Sequence, residues 1–275
     1  MDLSKVKDFK VLMVGDSIMD EYIYVTCVGK AVKEAALSSI VHKRETFRGG
    51  VWAAAMHVRN FCEKVDVSTS PFDMWNTRFV EETYLRKLFV VHDNRRGEVS
   101  RNYDIGAYDV VIVTDFGHGT VTKDLIERLT REARFLAVNA QSNATNMGFN
   151  IVTKFPRADF VVVDELEARL ATHDREAPIE DVILEMGFPK IIVTRGIHGA
   201  IGYDGAFERA EALTDKVTDT MGAGDAFLAV TSPFAAAGFS MRELIQIGNA
   251  AGAVKVGIVG HRTSVSKEAL EKYLG

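Results

Sequence analysis

Short runs of apolar residues recur along the chain, at 10–15, 109–115, 134–139, 159–164 and 190–196. Each run is nearly continuous in Val, Ile and Leu, as in "DVVIVTD" and "DFVVVD". A strand that is covered on both faces loses the usual alternation, because neither face meets water. The runs therefore predict buried parallel strands.

Helical spacing fills the intervals between these runs. The segment "TKDLIERLTREA" (122–133) places its apolar residues on one face, with Thr122 as a suitable N-cap. Segments 165–173 and 178–187 follow the same pattern, and the second has Pro178 at its start and Gly187 at its end. Strands that alternate with helices predict βαβ units, a parallel sheet and an α/β fold class.

Two regions break this rhythm. Around 21–47 and 77–91, β-branched and aromatic residues alternate with polar ones, without an intervening helical pattern. Such alternation predicts a small antiparallel sheet that projects from the main body as a lid. Since the chain has no obvious linker, internal repeat or low-complexity tract, we expect one domain over 1–275.

Composition narrows the class of protein. The 275 residues are 47% hydrophobic and 26% charged, with a net charge of −5, so a basic nucleic-acid-binding surface is not expected. The longest uncharged run, 226–241, is too short to span a bilayer and contains Pro233. Cys27 and Cys62 fit reduced thiols. We expect a soluble, cytoplasmic protein without nucleic-acid or membrane partners.

The segment "DTMGAGDAF" (219–227) lies between "DKVTD" (215–219), which we predict as a short strand, and an apolar run that we predict as a helix. Backbone amides in a first helical turn have no partner, and glycines let an anion approach them. Asp225 could accept a proton from a nucleophile while the amides of Gly222, Ala223, Gly224 and Asp225 stabilise a transferred group. The same residues also fit a tight turn in which Asp225 is only a first-turn helix acid.

The motif "DTMGAGD" resembles the Asp-Thr-x-Gly-Ala-Gly-Asp signature of the ribokinase-like carbohydrate kinases. Further resemblances lie in "VLMVGDSIMDEY", "RGGVWAAAMHV", "VVVDELEARL", "VTRGIHGAIGY" and "IGNAAGAVKVGIVG". Within that family the chain is most similar to the kinase portion of bifunctional heptose-phosphate kinase/nucleotidyltransferases. The resemblance implies a three-layer α/β/α fold, a mainly parallel central sheet, a small β-sheet lid and a homodimer formed through the lid.

The resemblance also implies roles for individual residues. Asp225 would be the base, with the 222–225 amides as the anion hole. The nucleotide cofactor, ATP, would be bound by Thr194, Gly196, Gly199, Asn249 and Gly257. A sugar or sugar phosphate would be bound by Asp16, Asp20, Gly49 and Gly50. Mg²⁺ would be held by Glu167 and Asp164, and a monovalent cation such as K⁺ by Asp219 and the loop 257–260.

Both the magnesium region and the acceptor end depart from the family pattern. Position 164 is Asp where the family has Asn, and Ala53 and Ala54 stand near the place of an expected asparagine. A nucleoside or vitamin kinase, and a catalytically idle ligand-sensing or scaffold protein with the same fold, therefore stay open as alternatives. The polar cluster "NAQSNATN" (139–146) supplies Gln141 and Asn143 as further candidates for sugar hydroxyls. His118 fits either a substrate contact or a helix cap, and Arg195 either a phosphate contact or the surface.

Overall fold

The computed structural model describes residues 1–93, 97–99 and 103–275. Its strands are β1 Lys10–Gly15, β2 Ser17–Lys30, β3 Leu37–Gly50, β4 Lys64–Thr69, β5 Met74–Glu81, β6 Arg86–Asp93, β7 Val110–Asp115, β8 Leu136–Ala140, β9 Phe160–Asp164, β10 Ile191–Thr194, β11 Ala200–Tyr203 and β12 Phe207–Ala210. Its α-helices are α1 Val51–Val58, α2 Lys123–Glu132, α3 Glu165–Thr172, α4 Ile179–Met186, α5 Ala223–Ala236, α6 Met241–Val256 and α7 Lys267–Leu274. Short 3₁₀ helices span Leu3–Val6, Ile105–Ala107, Val152–Lys154 and Gly196–His198.

The main sheet has eight strands in the order β12-β11-β10-β9-β8-β7-β1-β4. All pairings from β10 to β4 are parallel, and β11 and β12 add two antiparallel strands at one edge. The predicted buried strands are confirmed, because β7 and β8 are buried at every position.

Helices cover both faces of this sheet. On one face α1, α5, α6 and α7 contribute to a core that includes Phe227 and Leu244. On the other face α2, α3 and α4 contribute to a second core that includes Leu129 and Ile183. The expected three-layer α/β/α arrangement is therefore confirmed. Within the described residues, no helix is both long and apolar enough to cross a membrane.

The lid is a four-stranded sheet in the order β3-β2-β5-β6, and its strands extend beyond the expected 21–47 and 77–91. The β2–β3 and β5–β6 pairs are antiparallel as expected, but the central β2–β5 pair is parallel. The reason lies in the connection: after β3 the chain passes through α1 and β4 of the main body before it returns to the lid as β5.

The predicted strand at 215–219 is wrong, since this described segment forms no strand. The amides of Thr218 and Asp219 donate instead to the carbonyl of Val256 at the end of α6, at 2.8 and 3.0 Å. The glycine loop therefore joins an irregular segment to α5, and the end of α6 holds that segment in place.

Candidate active site

Three adjoining cavities lie at the carboxyl edge of the main sheet, where α/β proteins place their ligands. The lid cavity, about 170 Å³, lies between the lid and the start of α5. The central cavity, about 360 Å³, lies over the glycine loop, and the apolar cavity, about 210 Å³, lies beside α6. The lid and central cavities share Gln141, Gly222 and Asp225, and the central and apolar cavities share Thr194, Gly196, Thr220, Ala223 and Gly224.

The glycine loop forms the floor of the central cavity. Gly222 has a φ of +71° and precedes α5 as its N-cap. A Cβ at Gly222 would come within 2.8 Å of the His261 ring, whereas a Cβ at Gly224 would meet no described heavy atom within 4 Å. The amide of Ala223 donates to Thr220 at 3.3 Å, while the amides of Gly222, Gly224 and Asp225 have no acceptor among the described residues. The loop therefore offers three unpaired amides beside an open space, as an anion site requires.

Asp225 is the third residue of α5 and is 7% exposed. Its Oδ1 accepts a hydrogen bond of 2.5 Å from Nε2 of Gln141. Burial raises the pKa of Asp225 to about 6, although His261, Lys255 and the Gln141 hydrogen bond all act to lower it. This carboxylate is ionised at neutral pH and is a stronger base than an ordinary aspartate, which suits it to general-base chemistry.

Asp20 projects from β2 into the lid cavity. Its Oδ1 is ion-paired with Arg78 and lies 3.5 Å from Nδ2 of Asn76, while its Oδ2 lies 3.6 Å from Nε2 of His261. Burial acts to raise the pKa of Asp20, but hydrogen bonding to His261 and the positive charge of Arg78 hold it below its ordinary value. Asp20 is therefore a buried carboxylate at the position expected for a sugar contact.

The lid cavity is rich in basic side chains. Arg78, His92, His118 and His261 all line it, beside the two acids Asp20 and Asp225. His261 Nδ1 is buried and has no hydrogen-bond partner among the described residues. Burial and the nearby Arg78 charge lower the pKa of His92. The cavity therefore presents several donors to an acceptor that carries negative charge.

Gly49 and Gly50 fit closely around the acid side chains. A Cβ at Gly49 would overlap Oδ2 of Asp20, and a Cβ at Gly50 would overlap the backbone carbonyl of Asp16. Gly50 also has a φ of +57°, lines the lid cavity and precedes α1. These two positions need glycine because of close approach, and at Gly50 also because of the backbone conformation.

Asp16 and Asn143 mainly organise the loop that follows β7. The Asp16 carboxylate accepts from the amides of Phe116 and Thr120, at 2.9 and 3.3 Å, and Asp16 is not among the described residues that line the lid cavity. Asn143 does line that cavity, but its Nδ2 donates to the Phe116 carbonyl at 2.8 Å. A direct substrate contact by either side chain stays a prediction.

Acid groups gather in the central cavity around the start of α3. Asp164 Oδ1 accepts from the Glu167 amide at 2.7 Å, and Glu167 Oε2 accepts from the Asp164 amide at 3.0 Å, which forms a capping box. Burial raises the pKa of Glu167, and the charge of Asp164 raises it further. Asn139 Oδ1 nearby is buried without a partner among the described residues.

These groups fit a magnesium ion. Asp164, Glu167 and Asp225 line one cavity, and a cation there would favour the ionised form of Glu167, whose pKa is raised without one. Within the described residues no cluster of three or more His, Cys, Asp or Glu side chains could hold a metal by itself. Mg²⁺ commonly binds through one or two carboxylates, retained waters and substrate phosphates, so the sparse donor set is suitable.

The apolar cavity gathers most of the residues predicted for the nucleotide. Thr194, Gly196, Gly199 and Asn249 line it together with hydrophobic side chains that include Leu213, Val217, Phe227 and Val256. Asn249 Nδ2 donates to the Glu211 carbonyl at 2.8 Å. Gly257 is the C-cap of α6 and is not among the described residues that line the cavity.

Asp219 lies behind the glycine loop. Its carboxylate accepts from Nζ of Lys87 at 2.8 Å, the Tyr22 hydroxyl at 2.8 Å, and the amides of Gly260 and Met221 at 2.9 and 3.1 Å. Burial acts against ionisation, but these donors bring the pKa of Asp219 down to about 2. The structure therefore places Asp219 as a hub that joins the lid to the loop.

Several residues of the site were not predicted from the sequence. They are Asn76, Arg78 and His92 on lid strands, His261 after α6, and the buried Lys255. The spacing of Asn76 and Arg78 on one face of β5 was an available signal, because residues i and i+2 of a strand share a face. Arg195, considered for a phosphate, is paired with Glu165 at 2.9 Å.

The model of the pfkB family of carbohydrate kinases matches residues 95–268, which is more than half of the chain. The chain belongs to the pfkB carbohydrate kinase family. This match covers the glycine loop, the central and apolar cavities, and the loop that carries His261.

The sequence identity between this pfkB-family chain and individual known proteins is low. It is 21% identical over 305 residues to the bifunctional protein HldE of Campylobacter concisus, which covers 95% of this chain and 64% of that protein. The chain thus spans less than two thirds of the length of such curated relatives.

Solved structures share the fold. Arabidopsis thaliana ribokinase, complexed with ribose and ATP, superposes with a TM-score of 0.71 at 12% identity, over 97% of this chain and 99% of that chain. Escherichia coli phosphofructokinase-2 in complex with potassium superposes with a TM-score of 0.71 at 14% identity, over 97% of this chain and 98% of that chain. The ribokinase-like fold is therefore confirmed.

Proposed function

We propose that this pfkB-family chain transfers the γ-phosphoryl group of ATP to a hydroxyl of a sugar or sugar phosphate, with Asp225 as the general base. One observation carries the proposal: Asp225 lines both the lid cavity and the central cavity. An acceptor hydroxyl in the first cavity and a phosphoryl group in the second would therefore meet at this carboxylate.

The proposed step transfers the γ-phosphoryl group directly from ATP to the acceptor hydroxyl. The acceptor oxygen attacks the γ-phosphorus, its proton passes to the Asp225 carboxylate, and the bond between the γ-phosphorus and the ADP oxygen breaks. The free amides of Gly222, Gly224 and Asp225 stabilise the charge that spreads over the equatorial oxygens. Magnesium near Glu167 and Asp164 would neutralise phosphate charge when bound.

The shape of the cleft supports ATP as the donor. The apolar cavity beside α6 suits an adenine ring, since it is lined by Phe227, Val256 and two glycine positions of the strand-to-hairpin turn, Gly196 and Gly199. It continues directly into the central cavity through Thr220 and Ala223. A nucleotide lying along this path would bring its phosphates to the glycine loop.

The lid cavity supports a phosphorylated, heptose-phosphate-like acceptor. Arg78 and three histidines line it, and only one carboxylate other than Asp225, that of Asp20, lies beside them among the lining residues. Arginine binds phosphate through charge-assisted hydrogen bonds, and a neutral histidine can still donate its one ring N–H to a phosphate oxygen. The sequence similarity to HldE proteins points in the same direction.

A coupled ADP-release assay over sugars, sugar phosphates and nucleosides tests the proposal. We expect turnover with a sugar phosphate, and a loss of kcat of about 10²- to 10⁴-fold in Asp225→Asn because a general base is removed. The matched control is Asp181→Asn, since Asp181 is also the third residue of a helix, α4, and is exposed. The control should leave kcat unchanged.

Three outcomes would contradict parts of the proposal. Acceptor-dependent turnover that persists undiminished in Asp225→Asn excludes Asp225 as the base. ATP binding without turnover on any acceptor favours an idle ligand-sensing protein. Turnover on nucleosides alone makes the chain a nucleoside kinase.

A further inference from the structure

Lys255 is a fully buried cation in the last turn of α6, with 0% of its surface exposed. Its Nζ donates to the backbone carbonyls of Met221 and Gly260, at 2.6 and 2.8 Å. Met221 directly precedes Gly222 of the glycine loop, and Gly260 lies in the loop that follows α6. Burying an ammonium group is costly, so its hydrogen bonds and nearby charges must compensate. One buried charge thus links the two loops.

The Asp219 carboxylate binds the same two residues, Met221 and Gly260, through their backbone amides. Met221 and Gly260 donate their amides to Asp219, at 3.1 and 2.9 Å, while their carbonyls accept from Lys255. Burial lowers the pKa of Lys255, and the carboxylates of Asp219 and Asp225 oppose that shift. The Lys255–Asp219 pair therefore fixes the orientation of both backbone segments.

The resemblance to ribokinase-like kinases places a monovalent cation at Asp219 and the loop 257–260, and these residues do not fit one. Backbone carbonyls are the ligands that K⁺ uses in proteins, and here the carbonyls of Met221 and Gly260 already accept from an ammonium group. Asp219 is bonded to a second ammonium, that of Lys87, at 2.8 Å. Another cation would be repelled by both charges.

We propose that the Lys255 ammonium takes the place of a monovalent metal ion behind the glycine loop, so that phosphoryl transfer by this chain is independent of K⁺. The activity test of this inference rests on the proposed kinase function, whereas a test by Tm does not need that function. Lys255 is a positioning residue, because it is not among the described residues that line the three cavities.

The first test is kinetic. Wild type in choline, sodium or potassium chloride at equal ionic strength should give the same kcat. Lys255→Met should lower kcat about a hundredfold, as displaced catalytic groups do, with little change in the KM of the acceptor. In Lys255→Ala, added K⁺ or methylammonium should restore part of kcat. Lys190→Met is the matched control, because Lys190 is half-buried and lies 3.8 Å from Asp204, away from the cavities.

The second test needs no acceptor. The Tm of wild type should be the same in potassium and choline chloride, whereas K⁺ should raise the Tm of Lys255→Ala by binding its folded state. If no acceptor supports turnover, the proposed function fails while this comparison still decides the role of Lys255. If the variants do not fold, the response of wild type still decides whether the chain depends on K⁺.

Four results would each overturn the inference. Two concern wild type: activation by K⁺ of about tenfold, which is about 1.4 kcal/mol, or a K⁺-specific rise in Tm. Two concern the variants: an undiminished kcat in Lys255→Met, or a folded Lys255→Ala whose kcat and Tm respond to neither K⁺ nor methylammonium. Insensitive wild type together with a cation-responsive Lys255→Ala supports it.

Discussion

Asp225 combines burial with a hydrogen bond from the Gln141 side chain. Burial raises its pKa to about 6, and the hydrogen bond from Gln141 limits that rise. A base with a pKa just below neutrality is largely ionised in use and still accepts a proton readily. The environment of one residue thus sets the pH range in which the proposed transfer can occur.

The pH dependence follows from this environment. Because the base must be ionised, kcat/KM should fall about tenfold per pH unit below about pH 6 and level off above it. Gln141→Leu removes a bond that lowers the pKa of Asp225, so this acid limb should move to higher pH. Profiles of kcat/KM from pH 5 to 8 measure both effects.

Gln246→Leu is the control for the Gln141 variant, since Gln246 is an exposed glutamine on α6. Its profile should coincide with that of wild type. A wild-type profile that stays flat from pH 5 to 8, or an acid limb that Gln141→Leu leaves in place, would contradict the assigned role of Asp225.

Local chemistry was predictable where it lies in one contiguous motif. The glycine loop and Asp225 were found from "DTMGAGD" because their use depends on local backbone geometry. Arg78, His261 and Lys255 were not, because each acquires its role from at least one partner far along the chain. The Asp20–Arg78 pair, for example, depends on the register between β2 and β5.

At the scale of elements, the hydrophobic pattern predicted the buried strands and the amphipathic helices but not how the strands pair. Buried strands such as β7 and amphipathic helices such as α2 match their predicted segments within two residues. The parallel β2–β5 pair was missed because the pattern of a strand does not identify its neighbour. The segment 215–219 was misassigned because its backbone partner, Val256, belongs to a helix end.

The edge strand β6 bears on how copies of this chain would associate. Its residues Leu88, Phe89, Val90 and Val91 are 39%, 52%, 36% and 51% exposed. Because successive side chains of a strand point to opposite faces, apolar surface is uncovered on both faces of this edge. Exposed apolar edge strands favour association unless they are covered. We therefore propose the lid as the surface of a homodimer.

Sedimentation velocity tests the dimer. Wild type should have the mass of two chains, and Val91→Asp should have the mass of one, because a charge on this edge opposes burial. Leu166→Asp is the control, since Leu166 is 54% exposed on α3 outside the lid. A wild type that sediments as one chain at every concentration would exclude the lid dimer.

In the whole molecule, the two sheets supply different halves of the proposed reaction. The main sheet and its helices form the central and apolar cavities, while the lid supplies Asp20, Asn76 and Arg78 to the acceptor side. The loop after α6 joins the halves, through His261 to Asp20 and through Arg262 to Glu45 at 2.5 Å. The position of the lid is therefore coupled to the loop that Lys255 holds.

The architecture was predictable as a whole, since alternation of buried runs and helices restricts the fold to a few arrangements. The contents of the lid cavity were not, because they come from β2, β3, β5, β6, α5 and four loops that meet only after folding. This explains why the phosphate end of the cleft was assigned from sequence more completely than the acceptor end.

The most direct test of the central claim follows ATP, Mg²⁺ and a sugar phosphate acceptor by ³¹P nuclear magnetic resonance in the presence of the wild-type chain. We expect ADP and a new phosphate ester of the acceptor to accumulate in equal amounts, with no inorganic phosphate released. Inorganic phosphate in place of the ester, or ATP that stays intact with every sugar and sugar phosphate offered, would contradict phosphoryl transfer to a sugar hydroxyl.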